Sequence, residues 1–402
     1  MSLEKAAKPQ MSLLFLLVSF GSVGAVLFTP ALPSIQAFFH LSVGKAQLTI
    51  TAYLLGYSLG QLPYGPLANG IGRKKTLLAG LCLAVIGSLL CALSAVFHSF
   101  ALLVFARFLQ ALGSCVGLKI SFTMIADVYD QTTATKKISH MMMAFAIMPG
   151  VATTIGGYIT QIGSWEGCFY FLALFGLLML CLSTYLPETA KTINKTALNL
   201  SSIIQGYREK LKNTKLLLSG FMMGSGSAIV YIFASKSPFI GITVLKLSPE
   251  MFGILNLIPP IGMFAGSFLA AYLAGRFAVS TLLLMGITAS FAATFFMLIP
   301  FAMDRLSLWS LFLPMTLIYA AESIVFANSS SLGLSHAKNK SNASAVINCI
   351  NLITAVAAVF LSQAIFPDSA LLMPISFLFF FMVMFVLWLK LKTFTSPGLP
   401  FS

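Results

Sequence analysis

Four ionisable side chains interrupt otherwise apolar stretches of this chain: Arg107, Lys119, Lys236 and Glu322. A charge at the centre of a bilayer costs roughly 2.5–3.5 kcal/mol on insertion scales, so such residues are kept for a cavity, a partner or a proton. Glu322, with Tyr319 one turn before it, is the carboxylate at mid-span depth. It either binds and releases a proton or pairs with a cation. Arg107 either contacts a solute or braces its helix through backbone oxygens. Lys119 lies twelve residues further on, about 18 Å along a helix and turned by about 120°. It reaches a solute or snorkels to the headgroups, and the same two readings hold for Lys236. Three positive charges and one negative leave this set near +2. That sum predicts an anionic solute, such as a carboxylate-bearing metabolite or a siderophore. Tyr319, Asn348 and Asn351 are the uncharged polar groups expected beside it.

The elements that position these residues follow from composition. Of 402 residues, 58% are hydrophobic and 8% charged, against about a quarter charged in soluble domains. The mean hydropathy is +0.94. A water-soluble globule, a disordered chain and a disulfide scaffold are all excluded. The apolar residues come in blocks of about 20, the length of a membrane helix, without the alternation of a membrane β-barrel. The sequence predicts an all-α integral membrane protein with twelve spans at 12–35, 46–68, 76–97, 100–126, 138–161, 167–186, 214–240, 250–275, 279–301, 309–333, 343–366 and 370–390. Eighteen of the 24 Lys and Arg residues fall on one side of this alternation and three on the other. The positive-inside rule then places both termini in the cytoplasm. The net charge of +14 is thus topology, with no nucleic-acid partner implied. The polar stretch 187–213 divides the chain into 1–186 and 214–402, and the halves echo each other. Ser42 precedes span 2 as Ser248 precedes span 8, each a helix cap, with Pro249 at the first helical position.

Several chemistries are missing. The six cysteines form no CxxC, so neither a metal site nor a disulfide framework is expected. There is no G-x-x-x-x-G-K-[ST] loop for ATP, no H-E-x-x-H and no G-x-S-x-G. The expectation is a transporter without cofactors and not an enzyme.

The loop expected between spans 2 and 3 reads Gly65-Pro66-Leu67-Ala68-Asn69-Gly70-Ile71-Gly72-Arg73-Lys74-Lys75. This resembles the major facilitator signature G-x-x-x-D-x-x-G-R-[RK]. Pro30-Ala31-Leu32-Pro33, Gly60-Gln61-Leu62-Pro63-Tyr64 and Arg107-Phe108-Leu109-Gln110-Ala111-Leu112-Gly113 are similar to the Bcr/CflA subfamily, the bicyclomycin and chloramphenicol resistance type. Ser237-Pro238-Phe239 and Ser248-Pro249-Glu250-Met251-Phe252-Gly253 carry the similarity into the second half. The resemblance implies two six-helix bundles, a central cavity lined by helices 1, 4, 7 and 10, a bacterial inner-membrane location and drug export by proton antiport. It also implies a gate in which Asp127 pairs with Arg73. Asn69 stands where the signature has Asp, and residues 12–35 contain no acidic residue. The helix-5 antiporter motif G-P-x-x-G-G is here Ala152-Thr153-Thr154-Ile155-Gly156-Gly157, with Pro149 upstream. Asn69, Arg73, Asp127, Pro149, Gly156 and Gly157 are the expected gating residues.

The combined expectation is a monomeric secondary transporter in a lipid bilayer, alternating access to a midplane site. Protons are its coupling ions through Glu322. The charges point to an anionic organic solute, and the resemblance points to multidrug efflux.

Overall fold

A chain crossing lipid must satisfy every backbone amide and carbonyl internally, so its apolar blocks fold as helices. The computed structural model describes residues 8–190, 192–194, 198–199, 208, 211–335, 340–364 and 369–392. Much of the expected linker 187–213 lies outside the described residues, as do both extreme termini.

Among the described residues there are twelve long helices. They are α1 (Met11–Phe38), α2 (Val43–Ile71), α3 (Arg73–Val96), α4 (Phe100–Val128), α5 (Gln131–Ile162) and α6 (Trp165–Ser183) in the first half. The second half holds α7 (Thr214–Val244), α8 (Pro249–Leu273), α9 (Val279–Ala302), α10 (Leu308–Leu334), α11 (Lys340–Ala364) and α12 (Leu372–Lys392). Eleven are long and apolar enough to cross a membrane, and α2 is the twelfth. It falls short because Gln47, Thr49, Thr51, Ser58 and Gln61 are buried along it. Those polar groups face protein rather than lipid.

The expected boundaries hold to within about four residues, with two corrections; the first is that α5 begins at Gln131, ahead of the expected 138. The stretch 65–75 is not a loop. Helix α2 runs through Pro63 and Pro66 to Ile71, and the chain turns at Gly72 alone, where φ is +100°. Asn69 therefore rides on a helix, one turn before Arg73.

Both expected caps form. The Ser42 side chain accepts from the Lys45 amide and that of Ser248 from the Met251 amide. The residue two places before each cap, His40 and Lys246, takes a left-handed backbone at φ 52° and 57°. The α3–α4 and α9–α10 connections also each hold one left-handed residue shortly before a serine cap, at different offsets. They hold His98 at φ 47° and Asp304 at φ 51°, followed by the caps Ser99 and Ser307. The turn before Ser42 thus repeats before Ser248.

With twelve spans, the start of α1 and the end of α12 lie on one side, together with Arg73, Lys74, Lys75, Lys136, Lys137 and Arg276. This is the basic side. The bundles meet chiefly through α2 against α11 and α5 against α8. Gln47 Nε2 donates to Ser235 O at 3.0 Å, Gln363 Nε2 to Thr51 Oγ1 at 3.0 Å, and Thr154 Oγ1 to Gly253 O at 2.9 Å. These residues sit in the parts of their helices remote from the basic side. Ser58, at mid-helix, donates to Cys349 O at 3.4 Å. These contacts join the bundles in the half opposite the basic side.

Candidate transport site

Arg107 is wholly buried in α4. Its Nη1 donates to Gly24 O in α1 at 2.9 Å and to Gln110 Oε1 at 2.6 Å. Its Nε reaches Thr49 O in α2 at 3.3 Å, and Nη2 reaches Ala25 O at 3.5 Å. The guanidinium carbon lies 4.1 Å from the Phe28 ring centroid and 4.2 Å from that of Tyr53. Gln110 Nε2 continues the chain to Ser88 Oγ in α3 at 2.7 Å. Arginine suits such a place because its planar fork serves several acceptors while its faces stack on rings. Through these contacts Arg107 ties α1, α2 and α4 together.

Glu322 lies at the heart of the second bundle with 7% of its surface exposed. Its Oε1 accepts from Ser290 Oγ of α9 at 3.1 Å. Its Oε2 sits against Gly226 of α7, where an added Cβ would collide with it. Among the described residues, Arg107, Lys236 and Glu322 are the buried charged side chains, so Glu322 is the buried acid. The alternative of a pair with a cation of α4 is not what forms: Glu322 is seated between α7, α9 and α10.

The other expected residues are dispersed. Lys119 is half-buried in the basic-side part of α4, with its Cε 3.8 Å from where a Cβ on Gly65 of α2 would lie. Lys236 is buried near the far end of α7 and does not snorkel. Tyr319 is half-buried and meets Phe233 edge-on, with centroids 6.4 Å apart. Asn348 is half-buried and Asn351 buried on α11. The charges therefore form no single positive cluster.

At the basic end, Arg73 and Asp127 do pair. Nε meets Oδ2 at 2.9 Å and Nη2 meets Oδ1 at 3.4 Å. Arg73 Nη1 also donates to Ala68 O at 2.7 Å and Asn69 Oδ1 at 3.0 Å. Two partners here were not foreseen. Thr189 Oγ1 donates to Asp127 at 3.1 Å. Glu188 accepts from the Arg73 and Lys74 amides at 2.9 and 3.1 Å, satisfying the free N–H groups that open α3. An acid directly after Pro187, at the end of α6, was the available signal. Nearby Asp130 caps α5, and the Thr133 amide it accepts from holds its carboxyl below the ordinary range.

The helix-5 motif places its two glycines against different bodies. A Cβ on Gly156 would strike Leu27 O of α1, within the same bundle. One on Gly157 would strike Pro249 O of α8, across the interface. Pro149 lies within continuous helix, and its carbonyl accepts from Thr153 Oγ1 at 2.8 Å.

This architecture has known counterparts. The Major Facilitator Superfamily pattern matches residues 14–359, and the chain belongs to that superfamily. It is a multi-pass membrane transporter and not an enzyme. It is 31% identical to an uncharacterized transporter of Rickettsia bellii over 65% of this chain and 64% of that one. It is 27% identical to multidrug resistance protein D of Escherichia coli over 78% of each. It is 24% identical to a bicyclomycin resistance protein homolog of Haemophilus influenzae over 76% of each. Among solved structures, a D-xylose-proton symporter superposes with a TM-score of 0.76 at 14% identity, covering 93% of this chain and 96% of that one. At that identity the likeness concerns the fold.

Proposed function

We propose that this protein is a proton-coupled exporter of small, drug-type organic compounds. It works by alternating access in a bacterial inner membrane, with the basic side cytoplasmic. The observation that carries the reading is the seat of Glu322: a buried acid, held by Ser290 of α9 and fitted against Gly226 of α7. Protonation removes the charge this seat must hold, and deprotonation restores it. The helices that feel the change, α7 and α10, are those expected to border the cavity. The Arg73–Asp127 pair and the Gly157–Pro249 approach are the contacts proposed to break and re-form as the bundles rock. Contacts joining the bundles away from the basic side support loading from the cytoplasm. The names of the drug-resistance relatives support export, and the commitment of Arg107 to backbone oxygens removes the main cation from the argument for an anionic solute.

Proteoliposomes with an acidic lumen, offered chloramphenicol and ethidium, test this. Accumulation of either that collapses when the pH gradient is abolished supports the reading. Gradient-driven accumulation of citrate, with neither drug moved, contradicts it.

A further inference from the structure

The outer face of α12 changes character along its length. Ile375, Phe379, Met382, Val386 and Lys390 recur at helical spacing, and all five are exposed. In a helix otherwise rich in Phe, Leu and Met, the two valines of α12, Val383 and Val386, are short. With Met382 and Leu387 they line an apolar groove of about 250 Å³. Lys390 lies four residues beyond Val386, on the same face and about 6 Å nearer the basic side. Met382 lies eight residues before Lys390, about 12 Å along the axis. The groove therefore falls in the basic-side half of a hydrocarbon core about 30 Å thick.

The other face of this helix end is taken up by protein. Trp388 Nε1 donates to Ser280 O of α9 at 2.8 Å, and its ring stacks on Phe385 with centroids 5.5 Å apart. Lys392 Nζ lies 5.4 Å from the Trp388 ring centroid. The two lysines that end α12 are thus divided: Lys392 lies over Trp388, and Lys390 continues the line of the groove.

No acid offsets these cations from within their own half of the chain. Residues 214–402 contain four: Glu250, Asp304, Glu322 and Asp368. Glu250 opens α8 and Asp304 precedes α10, both on the far side, and Glu322 is buried. Asp368 stands in sequence between α11 and α12, a far-side connection. An apolar slot ending in a cation matches the two parts of one molecule, an acyl chain and a phosphate. A lysine stem lies along apolar surface while its ammonium reaches headgroup depth, and basic positions at the cytoplasmic ends of helices hold anionic headgroups.

We propose that α12 carries a binding site for an anionic phospholipid of the basic-side leaflet, with an acyl chain in the groove at Val383 and Val386 and the phosphate on Lys390. The site lies on the outer wall of the second bundle, away from the seam between the bundles. It does not depend on what the protein transports.

Trp388, beside the groove, reports on it. The other two tryptophans, Trp165 and Trp309, open α6 and α10 on the far side, and replacing both with Phe leaves one emitter. The full chain is placed in phosphatidylcholine vesicles in which about one-tenth of the lipid is phosphatidylglycerol or phosphatidylcholine brominated on its acyl chains. Quenching of Trp388 should show phosphatidylglycerol bound at least about threefold more tightly. Lys390→Gln should bring that ratio close to one. Lys392→Gln, which removes an equal charge from the same helix end, should keep most of it. Val386→Phe, which fills the groove, should lower quenching by both lipids. Glycerol 3-phosphate, a headgroup phosphate without chains, should leave the quenching unchanged. Native mass spectrometry of the parent chain, counting the two lipids bound, makes the same comparison without the tryptophan replacements. Equal binding of the two lipids, an unchanged ratio in Lys390→Gln, or equal losses in the two lysine variants overturns the proposal. Displacement of the lipid by glycerol 3-phosphate overturns it too, as does quenching by neither lipid, the result if residues 393–402 or a second copy of the chain covers the groove.

Discussion

The carboxylate of Glu322 is fitted to the side chain that Gly226 lacks. A methyl group there would collide with Oε2, while Oε1 takes the Ser290 hydroxyl at 3.1 Å. An acid from α10 is thereby locked to α7 and α9 at one point. Gly226→Ala is expected to push the carboxylate out and lower gradient-driven transport at least tenfold, with membrane expression retained. Ser290→Ala leaves the space intact and removes the hydrogen bond. It should move the pH midpoint of transport without abolishing transport. Flux measured across a pH series in the two variants checks both.

Arg107 tests whether a buried cation serves the solute or the scaffold. Its bonds reach Gly24, Ala25, Thr49 and Gln110. Lysine keeps the charge and loses the fork, leaving several of these oxygens unsatisfied at about 1–3 kcal/mol each. Arg107→Lys should lower the thermal unfolding midpoint markedly, while the affinity of the surviving folded protein for solute stays near parental. Unfolding scans paired with dialysis give the two readouts.

How much of this was legible beforehand divides along physical lines. Span count follows from bilayer thickness, so most helices fell within about four residues of their expected bounds, α5 alone starting well ahead of its own. The buried charges were equally visible, because an ionisable residue in an apolar block stands out by type. Their partners were not. Arg107 is held by carbonyls of α1 and α2, and every residue has a carbonyl. The Glu322 seat depends on one glycine of α7 meeting α10, and α7 contains Gly220, Gly224, Gly226 and Gly241, with nothing local to say which faces the acid. Residues 65–75 misled because Pro66, Gly70 and Gly72 look like a turn. In the membrane, packing against neighbours lets α2 continue through its prolines.

The adjacent glycines of α5 should separate folding from gating. Gly156 touches Leu27 O inside its own bundle, whereas Gly157 touches Pro249 O across the interface. Gly156→Ala is expected to reduce the yield of folded protein. Gly157→Ala should fold but fail to close the far side, leaving a cysteine introduced at Ile155 more reactive to a membrane-impermeant maleimide from outside.

The Arg73–Asp127 pair is two-pronged and partly shielded, with side chains 11% and 19% exposed. Exposed pairs contribute about 0–1 kcal/mol, and the shared Asn69 and Thr189 bonds should lift this one toward the upper end. A double-mutant cycle of Arg73→Ala and Asp127→Ala, read by unfolding in detergent, should give a coupling energy of about 1 kcal/mol. Additivity within error would remove the latch from the account.

The most direct test of the whole account is solute accumulation in proteoliposomes carrying either the parent or Glu322→Gln, with and without a pH gradient. The parent should concentrate solute only when the gradient is present. The glutamine variant, which keeps the shape of the acid and cannot release a proton, should lose that concentrating power while still exchanging labelled for unlabelled solute. Undiminished gradient-driven accumulation by Glu322→Gln would contradict the assignment of proton coupling to this residue.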